Sequence, residues 1–298
     1  MLSILIPIYN YNASKLITVL HQYALDSKVS FEIIVIDDAS TNSEISAQNA
    51  SISDLLFCQY IILEKNIGRS KIRNLLASKA SYDWLLFMDC DTFPQDTKYI
   101  ENYLNAIHSN QSDVYFGGIV YQDERPTDDH LFRWVYGKKR EAIPLQIRIT
   151  KPHHYALTSN ILIKKKIMLE HSFHGEITNY GFEDLVFVME LKKNGIPITH
   201  IENSSYHLNI EPSSVFLEKT HHSLNNLNFI TEKGIINFED TSLTQFYNKI
   251  SKFKLQYLII PFFKISQPLL KKNLLSKNPS LFIFDLYKLG YFCSIKNR

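Results

Sequence analysis

The 298 residues are 45% hydrophobic and 21% charged, a globular composition with enough apolar side chains for a large core, which excludes a disordered or fibrous chain. The net charge of +2 is unevenly spread: from Gln245 onward ten basic side chains face the single acid Asp285, leaving about −7 for residues 1–244. Cys58, Cys90 and Cys293 are scattered and odd in number, which argues against a disulfide framework or thiolate zinc site and fits a reducing cytosol.

In chain order, Ser3–Ile8 is an apolar run without alternation, the pattern of a strand covered on both faces. It lacks the basic flank of a signal peptide. Ala13–Asp26 spaces Leu16, Val19, Leu20 and Tyr23 as a helix does, and Glu32–Ile36 is a second buried strand. Arg69–Lys79, with Ile72, Leu75 and Leu76, predicts another helix, and Trp84–Met88 a third strand. This β-α-β order implies a mainly parallel sheet with helices on both faces, binding ligands beyond the carboxyl ends of its strands. Gln122–Asp129 is polar and reads as an exposed loop. Leu185–Lys193 reads as a short helix ended by Asn194-Gly195. The longest late apolar stretch, Leu255–Phe263, is broken by Gln256 and Pro261 and falls short of the roughly 20 residues of a membrane span.

The polar residues gather at the expected strand ends. Pro7-Ile8-Tyr9-Asn10 follows the first strand, Asp37-Asp38 the second and Asp89-Cys90-Asp91 the third. In extended geometry Asp89 and Asp91 point to one side, where hard oxygen ligands suit Mg²⁺ or Mn²⁺ shared with a diphosphate. Taken alone, the motif reads more readily as a solvated turn ending the strand. Asp37-Asp38 divides between a strand end leading into a helix cap and a carboxylate that accepts from a nucleobase or ribose. Asn66–Asn74 opens a helix whose Gly68 lets backbone approach a ligand, with Lys71 or Arg73 near an anion. It also reads as a plain helix start with solvated bases.

Taken together, these segments resemble family-2-type glycosyltransferases of the GT-A fold, bacterial and inverting. The likeness runs through SILIPIYN, EIIVIDDAS, NIGRSKIRN, LLFMDCDT, TSNILIKK, NYGFEDLVFVMELKKNG and HIENSSYHLNIEP, over about residues 1–227. The resemblance implies a nucleotide pocket lined by Pro7, Tyr9, Asp37, Asp38, Asn66, Gly68 and Arg73. It implies a ribose contact at Asp89 near the metal, a metal ligand at Asp91 and a late histidine ligand at His207. It also implies a catalytic base at Asp184, an acceptor contact at Glu183, and Thr158-Ser159-Asn160 beside the donor sugar. Cys90, the middle residue of the acidic motif, would offer mainly backbone, and Ile72 departs from the family's small residue. By themselves Glu183-Asp184 read as a helix N-terminus and His207 as one histidine among eleven.

The expectation is a GT-A domain over 1–215 and a helical, basic–aromatic extension over 216–298. The enzyme would move a sugar from a nucleotide sugar, a UDP-sugar by preference, to an acceptor hydroxyl with Mn²⁺ or Mg²⁺. Its setting would be surface polysaccharide or glycolipid synthesis. A nucleotidyltransferase is the alternative enzyme, although Pro7–Ala13 lacks the glycines and bases of a triphosphate loop. A non-catalytic carbohydrate-binding or nucleotide-sugar-binding module is the alternative class. Aromatic residues among the lysines of 245–298 suggest an anionic membrane surface at the inner face of the cell membrane, or else a helical cap on the catalytic domain. The acidic body speaks against nucleic acid.

Overall fold

Strand β1 (Leu2–Ile8) is the axis of the first part of the chain. It is followed by α1 (Ser14–Asp26), β2 (Phe31–Asp37), α2 (Ser43–Ala50), β3 (Cys58–Ile62), α3 (Arg69–Lys79), β4 (Trp84–Met88), β5 (Thr92–Pro94), α4 (Tyr99–Ser109), β6 (Val114–Phe116) and β7 (Ile119–Val120). Then come α5 (Leu131–Tyr136), the one-turn helices α6 (Leu145–Arg148) and α7 (Pro152–Tyr155), β8 (Asn160–Lys164), α8 (Lys165–Glu170), α9 (Glu183–Lys193), β9 (Thr199–His200) and β10 (Ser205–His207). The chain ends in α10 (Ser213–Glu232), α11 (Ser242–Lys252), α12 (Gln256–Leu274) and α13 (Leu281–Lys296). This computed structural model describes residues 1–177 and 179–297; Arg298, counted above with the basic tail, lies outside the described residues.

Among the described residues a seven-stranded sheet has the order β3-β2-β1-β4-β8-β6-β9, and a three-stranded sheet the order β5-β10-β7. β1 pairs in parallel with β2 and β4, and β2 with β3, so these strands all deliver their carboxyl ends to one rim. β8 runs antiparallel between β4 and β6, which makes the sheet mixed but mainly parallel, as expected. β2 begins and ends one residue beyond the expected run, while α3 and β4 have the expected bounds. Every residue of β2 is buried, which explains the absence of alternation. Leu2, Ile4, Ile6 and Ile8 share one core with Leu16, Ile17, Leu20 and Ala24 of α1.

The chain divides into two compact units. One comprises Met1–Gln122, Glu141–Thr178 and Glu183–Asn209, and holds both sheets; the other comprises Asp123–Arg140, Asn179–Phe182 and Ile210–Arg298. This division differs from the expected boundary at 215, because the second unit recruits an earlier segment. Phe132 of α5 meets Phe216 of α10 and Phe284 of α13 edge-on, at 5.1 and 4.8 Å between ring centroids. Sequence spacing carries no trace of that long-range contact. Among the described residues no helix is long and apolar enough to cross a membrane.

Within the second unit α12 and α13 approach closely at Gly290, where a Cβ atom would lie 2.3 Å from the Phe263 ring. Gly290→Ala therefore forces Phe263 out of a buried position. We expect a loss of about 1–3 kcal/mol, read as a lower urea midpoint for the transition reported by the C-terminal helices.

Candidate functional site

The rim is laced together by side chains. Asn10, with φ 50°, accepts from the N–H groups of Thr41 and Asn42 at 2.9 and 3.1 Å. Its own N–H donates to Ser40 Oγ at 2.8 Å, so the loops after β1 and β2 are joined. Asp37 is fully buried and accepts from the Ser40 N–H at 2.7 Å and the Tyr60 hydroxyl at 2.6 Å. Asp38, also buried, accepts from the Ile67 and Gly68 N–H groups at 2.7 and 3.0 Å. Asn66 donates its amide to the Asp38 carbonyl at 3.0 Å, and Gly68 takes φ 84°, a conformation open mainly to glycine. Asp37 and Asp38 thus tie the end of β2 to the loops around it. Their oxygens are engaged by the protein's own donors, and they fix the shape of the rim. Pro7 lies within β1, while Tyr9, just beyond it, is half exposed.

Asp89-Cys90-Asp91 forms a turn rather than extended chain, because Thr92 donates both its N–H and its hydroxyl to the Asp89 carbonyl, at 3.1 and 2.8 Å. The two carboxylates consequently have different partners. Asp89 Oδ1 accepts from Arg73 Nη2 at 2.7 Å, and Arg73 is buried, spanned on another side by the Phe173 ring at 5.6 Å. The Arg73 Nη1 donates to the Arg69 carbonyl at 3.3 Å, while its Nε has no hydrogen-bond partner. Burial opposes charge on both partners, but their attraction wins, lowering the Asp89 pKa below the ordinary value and raising that of Arg73.

Asp91 lies instead beside His207, with Oδ2 3.7 Å from Nε2. The small sheet makes this meeting: β10 runs antiparallel to β5 with His207 opposite Thr92, and the Leu208 N–H donates to the Asp91 carbonyl at 2.8 Å. Tyr121, just past β7, stacks on His207 with ring centroids 5.4 Å apart. Burial raises the Asp91 pKa above its ordinary value, with His207 opposing and Asp89 adding to the shift. Burial and the flanking acids push the Cys90 thiol well up, which keeps it protonated and unreactive.

Asp184 sits in the first turn of α9, where it accepts from the Thr158 hydroxyl at 2.5 Å. Burial raises its pKa, Arg73 lowers it, and Glu183 and Asp89 raise it again, to about 6. Glu183 is buried; its Oε1 accepts from Arg69 Nη1 at 3.2 Å, while its Oε2 has no hydrogen-bond partner. The backbone before this pair takes positive φ at Gly181 (94°) and at Phe182 (68°), the latter a strained conformation for a bulky residue. Asn160 is fully buried. Its amide donates to the Gly118 and Asn203 carbonyls at 2.7 and 3.0 Å, and its oxygen accepts from the Tyr99 and Tyr103 hydroxyls. Asn160 therefore locks β8 to its surroundings.

Arg73, Asp89, Asp184 and Thr158 thus form one electrostatic cluster, and Asp91 and His207 a second pair joined to it through the turn. Among the described residues no three His, Cys, Asp or Glu side chains are already gathered to hold a metal. The donor types nevertheless fit a divalent cation. Asp91 lacks full charge compensation, and His207 Nδ1 is buried without a partner. Sequence reasoning missed Arg69, Tyr121, Tyr60 and Asn10. Arg69 and Asn10 lie inside segments already singled out, whereas Tyr60 and Tyr121 carry no local signal of a role.

Residues 3–171 match the model of Glycosyl transferase family 2. The chain belongs to this family. It is 29% identical over 126 residues to an uncharacterized glycosyltransferase of Haemophilus influenzae, covering 41% of this chain and 48% of that protein. A second uncharacterized glycosyltransferase of that organism is 33% identical over 110 residues, covering 37% and 35%. The matches therefore span about half or less of these relatives' lengths. Staphylococcus aureus TarS 1-349 in complex with UDP shares the fold with a TM-score of 0.51 at 18% identity, covering 99% of this chain and 90% of that one. Mannosyltransferase PcManGT from Pyrobaculum calidifontis, in complex with GDP-Man and Mn²⁺, does so with a TM-score of 0.52 at 13% identity, covering 78% and 64%. The mixed, mainly parallel sheet flanked by helices is the GT-A fold.

Two stability measurements check this electrostatic description. Arg73→Met leaves Asp89 without its cation and is expected to cost about 3 kcal/mol in urea unfolding. Asp184, with its pKa raised in the folded state, is most favourable to folding when protonated; its contribution falls as pH rises from about 4 through about 6. Asp184→Asn is therefore expected to be more stable than the parent at pH 8, by about 2 kcal/mol, with the gap closing toward pH 4.

Proposed function

We propose that this protein is an inverting glycosyltransferase that transfers a hexosyl or N-acetylhexosaminyl group from a nucleotide sugar, by preference a UDP-sugar, to an acceptor hydroxyl. The observation that carries this reading is Asp184, a carboxylate with a pKa of about 6 held by Thr158 in the same cluster as Asp89 and Arg73. The fold shared with TarS bound to UDP, and with a mannosyltransferase bound to GDP-Man and Mn²⁺, supports a nucleotide diphospho-sugar donor.

In this mechanism Asp184 takes the proton of the acceptor hydroxyl as that oxygen bonds to the anomeric carbon. The bond from that carbon to the diphosphate breaks, and the diphosphate leaves with the electron pair. Attack opposite the leaving group inverts the centre. A base titrating near 6 is ionised at neutral pH yet remains a better proton acceptor than an ordinary aspartate. Thr158 fixes its orientation, and Glu183, whose Oε2 has no partner within the protein, would accept from a second acceptor hydroxyl. Asp91 and His207, with Asp89 alongside, would hold Mn²⁺ or Mg²⁺, which supplies positive charge to the departing diphosphate. Pro7, Tyr9, Asp37, Asp38, Asn66, Gly68 and Arg73 would line the nucleotide pocket.

The reading extends to surface polysaccharide or glycolipid synthesis in the cytoplasm, with 245–298 resting on the inner face of the cell membrane. The lysine–aromatic composition of that segment is its support.

The decisive experiment assays a panel of nucleotide sugars for donor hydrolysis and transfer, with and without a chelator. Asp184→Asn is expected to lower turnover about 10²–10⁴-fold while UDP binding is retained. Full activity in that variant would refute the mechanism, and indifference to chelation would remove the metal. The acidic limb of the rate profile should fall near pH 6, because the protonated carboxyl cannot accept the acceptor's proton. Thr158→Val removes a hydrogen bond that lowers the Asp184 pKa, so the limb should move to higher pH.

A further inference from the structure

Helix α12 is packed on one side and bare on the other. Gln256, Phe263 and Leu274 are buried, with Phe263 against Tyr287 of α13 at 5.3 Å between ring centroids. Elsewhere on the helix Leu258, Phe262, Ile265 and Leu269 follow at intervals of four, three and four residues, which sets them on one stripe. Each is 70–80% exposed. A continuous apolar stripe of this kind marks an interaction surface rather than scattered surface apolarity.

Charge decides what the stripe meets. Lys264 and Lys272 of α12 are exposed, as is Lys254 just before the helix, and residues 241–284 contain no acid at all. A second copy of this helix would set lysines against lysines, although the spacing resembles a coiled-coil seam. An anionic surface matches both the apolar stripe and its cationic borders.

The backbone points the same way. Pro261 and Pro268 lie inside α12, are both exposed, and have no N–H to offer the carbonyls of Tyr257 and Lys264. A dry partner would leave those carbonyls unsatisfied, whereas a hydrated headgroup layer solvates them. The helix is also not apolar enough to cross a bilayer.

We infer that α12 lies lengthwise in the headgroup layer of an anionic lipid bilayer. Leu258, Phe262, Ile265 and Leu269 insert toward the acyl chains, and the lysines pair with lipid phosphates. This names the element that makes the membrane contact given above for 245–298, and it rests on that reading.

The test is co-sedimentation of the full chain with phosphatidylcholine vesicles, with and without phosphatidylglycerol, at low and high salt. The parent is expected to bind only the phosphatidylglycerol vesicles and to be released by salt. Phe262→Ser with Ile265→Ser should weaken partitioning about a hundredfold, while Leu169→Ser, at an exposed leucine of α8, should leave it unchanged. Thermal melting of each variant verifies that the fold is kept. As an independent reading, Phe262→Trp should gain emission that brominated lipid quenches, above the background of Trp84 and Trp134.

If the parent binds these vesicles and the double variant binds equally well, the α12 assignment is wrong and the wider tail reading survives. If the parent ignores the vesicles, both fall. If the parent is a dimer in solution that the double variant dissociates, the stripe is a self-interface and the lipid assignment is overturned.

Discussion

The buried guanidinium of Arg73 governs the chemistry of the rim. It is one of the largest fully buried side chains in the protein, and its closest charged partner is Asp89 at 2.7 Å. Burying an arginine without a partner is severely unfavourable, so the pair forms as a unit or not at all. Its charge lowers the Asp89 pKa and restrains the rise of the Asp184 pKa. Two carboxylates near one cation thus acquire different proton affinities: Asp89 stays ionised, whereas Asp184 titrates close to neutrality. This separation is what distinguishes an electrostatic support from a candidate base.

The second constraint is topological. Asp91 and His207 are more than a hundred residues apart, and a pairing of only three residues, between β5 and β10, brings them together. Thr92 closes the turn before that pairing, and Leu208 closes the register after it. Tyr121 then stacks on the imidazole from β7. The imidazole is thus held between a ring and a carboxylate.

The C-terminal helices obey a different logic. Their core is aromatic, with Phe132, Phe263, Phe284 and Tyr287 in one cluster, and Gly290 permits the close approach of α12 to α13. Having spent one side of α12 on that core, the chain leaves a second apolar side in solvent with lysines along it. A helix stabilised only by its fold would carry polar residues there.

Much of this was legible in the sequence. Non-alternating apolar runs located β1, β2 and β4, because strands buried on both faces have no polar side to show. Helical spacing gave α3 its observed bounds, and the acidic strand ends marked the rim. The roles of individual residues were less legible. Asp37, Asp38, Arg73 and Asn160 are each engaged by protein partners, up to 61 residues away. Hydrogen bonds of that kind leave no periodicity. The sequence by itself therefore determined the sheet, its direction and the chemistry available at its rim, since these follow from local apolar pattern and from residue type. Only the tertiary structure decided which carboxylate is held by Arg73, which sits beside His207 and which rises toward neutrality, since desolvation and Coulomb attraction depend on distances that no linear spacing encodes.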